Sequence, residues 1–322
     1  MEPVGISVIT ATFNGESTLK RLYISLLEQN YENIEWIVVD DNSNDKTKLV
    51  IDKLISKNNL RIIYHYQSHG HKKVAVNNGI RLSTKKLSII IDDDDFLLPD
   101  SFKNINSIWE DLDQAKRDYI SGITFHSVDL NGIQIGNNFP YDGMISSEIN
   151  LRINYNLSGD KICVKRTSLL LENLYPEDVS GYVPETMMWN SIELINPSLF
   201  KNMSIRVYDN SRQLYKKSIK GLHKIRTSRG RFRELEVLLG SRNFCFLSKY
   251  PFYFSKLSIN YIRFLIHALV FHKKTDITIK LRPLSIIFIC FNLPLGLCAF
   301  LYDFKNIFCE LIYKYINLLK RL

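Results

Sequence analysis

The chain has 322 residues, 45% of them hydrophobic and 23% charged, an ordinary globular composition with enough length for one large domain, alone or with a smaller appendage. Its five cysteines (Cys163, Cys245, Cys290, Cys298 and Cys309) are odd in number and lack paired metal spacing, which excludes a disulfide scaffold or a structural zinc site and fits a reducing compartment. The net charge of +9 is unevenly distributed: residues 1–200 carry 19 Lys and Arg against 27 Asp and Glu, residues 201–322 carry 23 against 6. The two parts therefore face different partners.

The amino-terminal MEPVGISVIT passes directly into a strand pattern with no basic leader or cleavage site, so secretion is not expected. ISVITATFN (6–14) predicts a buried strand, and the spacing of Leu19, Leu22, Leu26 and Leu27 predicts a helix between Gly15 and Glu28. IEWIVVDDNSND (34–45) is a second buried strand ending in Asp40 and Asp41, with cap residues for a helix running to Lys57. LRIIYHY (60–66) predicts a third strand, HKKVAVNNGIRL (71–82) a helix, and LSIIIDDDD (87–95) a fourth strand, after which Pro99 opens a further helix. Regular strand–helix alternation means a parallel sheet with crossover helices.

Ile89, Ile90 and Ile91 run straight into Asp92, Asp93, Asp94 and Asp95, at the carboxyl end of a strand, where open α/β sheets bind ligands. Four adjacent carboxylates repel one another, so protonation or a nearby cation is expected. No glycine-rich dinucleotide fingerprint and no phosphate loop occurs, so a diphosphate would be handled through a metal held by carboxylates. Asp41, in contrast, is placed to accept a hydrogen bond from a base N–H. A solvated acidic loop is the alternative for the cluster taken alone.

Three blocks in order, the stretch from Ile6 to Thr47, then GHKKVAVNNGI, then IIIDDDDFLLPD, resemble the amino-terminal half of the family 2 glycosyltransferases, nucleotide-sugar-dependent enzymes of GT-A fold. The resemblance is tight over the first third and looser to about residue 210. It implies that Ala11, Thr12 and Asn14 border the nucleotide and that Asp41 reads the base. The family's Asp-x-Asp motif falls on Asp92-Asp93-Asp94, with Asp94 and Asp92 as metal ligands for Mn2+ or Mg2+ and Asp93 near the ribose. Lys72 matches a basic position near the donor, and Asn77 opens an Asn-x-Gly block. Asp95 is the carboxylate expected to tolerate change best. Ala11 stands where the family often has proline.

Residues 118–136 predict a hairpin turning at Asn131-Gly132, which makes the sheet mixed. SGDKICVKRTSLL (158–170) resembles a subfamily block bearing Gly159, Asp160, Lys161 and Arg166. LYPEDVSGYVPETMMWNSI (174–192) resembles the segment with the family's general base, which by register is Glu185, with Asp178 in reserve; Pro184 and Glu185 are also natural helix-start residues. Trp189 suits either a sugar face or the core.

HKIRTSRGRFR (223–233) is densely basic, but no nucleic-acid-binding motif accompanies it, so nucleic acid is not the expected partner. LSINYIRFLIHALVF (257–271) carries Asn260, Arg263 and His267 on one stripe of an apolar helix. LSIIFICFNLPLGLCAFL (284–301) is uncharged and interrupted by Asn292, Pro294 and Gly296, while 304–322 is amphipathic. Apolar helices joined by basic residues suit an anionic cytoplasmic membrane face, with buried helices of a second layer or an oligomer interface as the alternative.

The sequence thus implies an α/β, GT-A, mixed and mostly parallel sheet flanked by helices (1–210) with a helical membrane-associating extension (211–322). The expected activity is inverting transfer from a nucleotide-diphospho-sugar, a UDP-sugar foremost, to a glycan or lipid-linked acceptor on the inner face of the cell membrane, in surface-polysaccharide synthesis. A catalytically inactive membrane-associated scaffold of the same fold is the rival expectation.

Overall fold

A computed structural model describes residues 2–179 and 182–209, together with 211, 230–231, 234–235, 251–271 and 289–302. The chain divides into two compact units: Met1–Pro176 with Met188–Asn210, and Glu177–Met187 with Ser211–Leu322. The segment bearing Glu185 is therefore part of the second unit, although it lies within the first in sequence.

The first unit is built on β1 (Ile6–Thr12), β2 (Ile34–Asp40), β3 (Ile62–Tyr66) and β4 (Leu87–Ile90), linked by α1 (Leu19–Leu27), α2 (Thr47–Ile55) and α3 (His71–Leu82). After β5 (Phe96–Leu97) come α4 (Ser101–Glu110), α5 (Gln114–Tyr119), β6 (Gly122–Val128), β7 (Met144–Ser146) and α6 (Glu148–Tyr155). β8 (Lys161–Arg166), α7 (Thr167–Glu172), α8 (Thr186–Glu193) and β9 (Ser198–Val207) complete the order. The nine-stranded sheet runs β3-β2-β1-β4-β8-β6-β9-β5, with β7 also on β9.

β1 pairs in parallel with β2 on one side and β4 on the other, and β2 with β3, so these four strands end at one edge. Strand order reverses at β1, which opens a crevice between the carboxyl ends of β1 and β4. Burial on both faces explains the unbroken apolar runs: every residue of β2 is buried, and α1 contributes Leu19, Leu22, Tyr23 and Leu26 to the core. On α3, Gly79 comes so close to β1 that a Cβ there would stand 2.3 Å from Ile9 Cγ2.

The sheet is mixed, but not through the expected hairpin. Residues 114–119 are helical, and the return from Asn131-Gly132 makes only an isolated bridge between Val128 and Gln134. Both edges of β6 are already taken, by antiparallel β8 and parallel β9, so a hairpin partner has no ladder to join. β8 inserts antiparallel between β4 and β6. Its Lys165 is fully enclosed: Nζ donates to Glu193 Oε1 at 2.5 Å, Ser198 Oγ at 2.8 Å and Ser121 Oγ at 3.1 Å, and Glu193 Oε2 accepts the Glu148 N–H at 2.7 Å. The fourth strand stops at Ile90, short of the predicted 95, because Asp92 to Asp95 form a turn closed by Asp95 N–H on the Asp92 carbonyl (3.1 Å).

In the second unit, α9 (Pro251–Phe271) buries Leu257, Ser258, Tyr261 and Ile262, leaving Asn260 and Arg263 half-buried. Residues 289–302 are helical apart from a turn at Asn292. Among the described residues no helix is long and apolar enough to cross a membrane. The predicted helix over 304–322, the side chain of His267 and most of the basic run 223–233 lie outside the described residues.

Candidate functional site

The four parallel strands deliver their ends to one edge. β1 finishes with Ala11, its one half-buried residue, and Thr12, whose Oγ1 donates to Asp93 Oδ2 at 2.5 Å across the β1/β4 crevice. Asn14 follows at φ +58° and staples two loops: its N–H donates to Ser43 Oγ (2.9 Å), and its Oδ1 accepts the Asn44 N–H (3.0 Å).

The two carboxylates after β2 differ in role. Asp40 closes the turn, accepting from Ser43 N–H and the Tyr64 hydroxyl, each at 2.8 Å. Asp41 is held against the next loop: Oδ1 accepts from Gln67 Nε2 (2.8 Å) and Gly70 N–H (2.6 Å), and Oδ2 faces His69 Nδ1 at 2.8 Å. The exposed ring of Phe13 stands 5.6 Å from His69, and His69 meets His71 edge-on at 4.7 Å. Sequence reading passed over Phe13 and His69; the adjacency of Phe13 to Thr12 and Asn14 was the available signal for the first.

Within the acidic run, alternation sets exposure. Asp92 and Asp94 are half-exposed; Asp93 and Asp95 point inward. Lys72, from the first turn of α3, lies 2.6 Å from Asp92 Oδ1 and 2.9 Å from Oδ2. Burial acts to raise the Asp92 carboxyl, but the Lys72 ammonium outweighs it and holds the group below its ordinary range. The Asp94 carbonyl accepts from Arg21, which also pairs with Asp209 at 2.7 Å.

Asp95 is the most enclosed of the four, contrary to the expected tolerance. It faces Arg206 Nη1 at 3.1 Å and accepts the Asp209 N–H at 3.0 Å. Burial pushes its carboxyl up to about 7, with Arg206 opposing and the neighbouring Asp92 adding to the rise. Arg206, on β9, was not singled out from the sequence, and no local motif marks it. It is buried, donates twice to Ser127 Oγ (3.0 and 2.9 Å) and pairs with Asp160, so its guanidinium stays charged.

Asp160 thus supports the acidic turn through Arg206. Lys161 donates to the Ser158 carbonyl (2.8 Å), and burial lowers it to about 8. Arg166 contacts the Asp118 carbonyl (3.1 Å). Asn77 is a staple: its amide bonds the Tyr175 carbonyl and N–H, both at 2.9 Å. Trp189 packs beneath the Lys165 ammonium, 5.9 Å from its ring. Glu185 and Asp178 are exposed and carried by the second unit, Glu185 on the residue before α8.

The structure therefore brings Ala11, Thr12, Asn14, Asp41, Lys72, Asp92, Asp93 and Asp94 to one edge. No group of three or more His, Cys, Asp and Glu side chains among the described residues is arranged to hold a metal. Asp92 and Asp94 still fit a hard cation of the kind that takes one or two protein carboxylates and completes its shell with phosphate and water.

The strand order and the carboxylates at its switch point agree with the GT-A fold that the sequence resemblance implies. Residues 7–160 match the family model described as glycosyl transferase family 2. A Haemophilus influenzae protein described as an uncharacterized glycosyltransferase is 31% identical over 98 residues (30% of this chain, 39% of its own length). The poly(ribitol-phosphate) beta-N-acetylglucosaminyltransferase TarS of Staphylococcus aureus is 26% identical over 206 residues (63% and 34%). The GalNAc(5)-diNAcBac-PP-undecaprenol beta-1,3-glucosyltransferase of Campylobacter jejuni is 27% identical over 217 residues (65% and 65%). The chain thus matches roughly a third to two thirds of these relatives' length. The fold is shared with S. aureus TarS 1-349 in complex with UDP-GlcNAc (TM-score 0.58, 16% identity, 95% of this chain and 89% of that one). It is shared equally with a Pyrobaculum calidifontis mannosyltransferase in complex with GDP-Man and Mn2+ (TM-score 0.53, 14% identity, 98% and 87%).

Proposed function

We propose that this protein is a metal-dependent, inverting glycosyltransferase that moves a sugar from a UDP-sugar to a hydroxyl of a glycan or lipid-linked acceptor. The observation that carries the reading is the gathering of Asp41, after β2, with Asp92, Asp93 and Asp94, after β4, along the carboxyl edge of the parallel strands, in the stretch that matches the family 2 model, with Thr12 bonded to Asp93 across the β1/β4 crevice. The preference for UDP over other nucleotides is supported by the UDP-GlcNAc-bound TarS structure of like fold.

The base takes the edge formed by Asp41, His69 and the open face of Phe13, where a pyrimidine finds an acceptor beside an apolar surface. Ala11 leaves room beside it. Asp93, oriented by Thr12, faces the ribose. Asp94 and Asp92 would hold a divalent cation, which would supply positive charge opposite the departing diphosphate. Lys72 adds a second positive charge on that side. Glu185 accepts the proton of the attacking hydroxyl, so that attack in line with the leaving group inverts the anomeric carbon.

The membrane-facing acceptor is supported by the Campylobacter relative, named for an undecaprenol-linked substrate, and by the basic, apolar composition of residues 211–322. In this reading the second unit docks the enzyme at the cytoplasmic leaflet, where surface glycans are built on lipid carriers.

The test is donor hydrolysis and transfer with Mn2+ or Mg2+ across a panel of nucleotide sugars, comparing the natural chain with Asp94→Ala and Glu185→Gln. Loss of both activities in Asp94→Ala, with donor binding kept in Glu185→Gln, is the expected pattern. Full activity in both variants overturns the site assignment, and absence of turnover with every donor favours the inactive scaffold.

A further inference from the structure

The helical stretch 289–302 has its polarity turned inside out. Asn292, its one polar side chain, is only 3% exposed, whereas Phe291 is 84% exposed. Leu293, Leu295, Leu297, Leu301 and Tyr302 are exposed as well. At 100° per residue, Asn292, Gly296 and Phe300 form one narrow buried stripe, and the exposed positions cover most of the remaining circumference. Gly296 fixes this orientation: a Cβ there would lie 2.5 Å from Ile262 Cβ, so the stretch is seated on α9 where the missing side chain permits the approach. The outward face carries no charge over its whole length.

An apolar face of this size needs an occupant. Among the described residues no helix is long and apolar enough to cross a membrane, and a helix interrupted by Asn292, Pro294 and Gly296, with one side seated on α9, suits the interface rather than a straight crossing. Charge then distinguishes a bilayer surface from a second copy of the chain. Residues 201–322 carry 23 Lys and Arg against 6 Asp and Glu, so two such segments repel each other while an anionic lipid surface attracts them.

We infer that residues 289–302 lie in the interface of an anionic bilayer, parallel to its plane, with Phe291, Leu293, Leu295, Leu297, Leu301 and Tyr302 immersed among the acyl chains and Asn292, Gly296 and Phe300 turned toward the protein. This rests on the membrane docking proposed above and supplies its contact residues. Such a helix binds through apolar area plus electrostatic attraction.

The experiment uses the full chain and sedimentation with vesicles of phosphatidylcholine alone or with one fifth phosphatidylglycerol. Leu293→Glu with Leu297→Glu is the test variant, and Leu49→Glu, on the exposed face of α2, is the control. The natural chain and the control are expected to pellet with the anionic vesicles, and the double variant to partition at least about tenfold less at an unchanged melting temperature. A Phe291→Trp variant, which keeps an aromatic there, is expected to gain fluorescence quenchable by brominated acyl chains. Equal partitioning of the double variant, or no quenching in Phe291→Trp, overturns the inference while leaving membrane docking standing. Loss of self-association in the double variant, with vesicle binding unaltered, assigns the face to a second copy and overturns it too. Failure of the natural chain to pellet with either vesicle overturns the docking reading itself.

Discussion

Replacing Lys165 by methionine strips the positive charge from the most enclosed ion pair of the first unit. Lys165 and Glu193 side chains are 0% and 1% exposed, so water cannot replace the lost ammonium. Glu193 would keep one partner, the Glu148 N–H at 2.7 Å, while Ser121 and Ser198 would each lose the lysine but keep a partner, the Pro197 carbonyl and the Thr124 hydroxyl. Stranding one member of a buried pair costs about 3–5 kcal/mol, a large share of the roughly 5–15 kcal/mol that holds a typical domain folded. Methionine is close to lysine in length, so the loss reads charge and not volume. Urea unfolding followed by the fluorescence of Trp36 and Trp109, both buried in this unit, measures it. The double change Lys165→Met with Glu193→Gln removes both charges and is expected to recover most of the loss, to within about 1 kcal/mol of the natural chain. A single variant costing under about 1 kcal/mol, or a double variant as unstable as the single, would refute the view that the pair is tightly desolvated.

Three further outcomes are expected. Lys72→Met frees Asp92 from a half-exposed ion pair worth about 0.2–1 kcal/mol, so Mn2+ affinity without nucleotide, read by electron spin resonance, should rise roughly 1.4- to fivefold; unchanged or weaker binding contradicts the competition. Gly79→Ala drives a methyl group into Ile9 and should lower stability by about 1–3 kcal/mol despite alanine's better helix propensity, as thermal unfolding will report. Burial holds the His126 imidazole below its ordinary range even though Nε2 meets Asn202 Oδ1 at 3.0 Å. The unfolded chain then takes up a proton near pH 6.5 that the folded one refuses, so stability present above that pH is lost as pH falls, and His126→Gln should flatten the slope between about pH 7 and 5.

The amino-terminal half was legible because its chemistry is local. A parallel strand covered on both faces must read as a continuous apolar run, which is why β1, β2 and β4 stood out, and α3 was bounded by Gly70 and the charged pattern that follows it at His71–Leu82. Asp41, Asp92, Asp93 and Asp94 were legible for the same reason: strand ends mark a sheet edge. What escaped depends on partners distant in sequence. Arg206 is charged and buried because Asp95 and Asp160 meet it from segments 111 and 46 residues away, and no window along the chain contains all three. The failed hairpin at 118–136 has the same origin, since its turn residues behave as read but the ladder position they needed belongs to β8 and β9. Asp95 looked dispensable as the fourth of four identical residues, and only the fold distinguishes inward from outward.

The pairing of β8 with β4 runs from Leu87 to Ile89 and no further, while β1 keeps a single backbone bond to Ile91. The four aspartates therefore hang in a fork where two neighbours diverge, outside every ladder of the sheet. Change at the half-exposed Asp92 and Asp94 leaves the backbone ladders of the sheet intact, whereas Asp93 and Asp95 tie the turn to the frame through Thr12 and through Arg206 with the Asp209 N–H. The turn can therefore drift at its two outward positions at little risk to folding, provided that Asp95 and its arginine travel together.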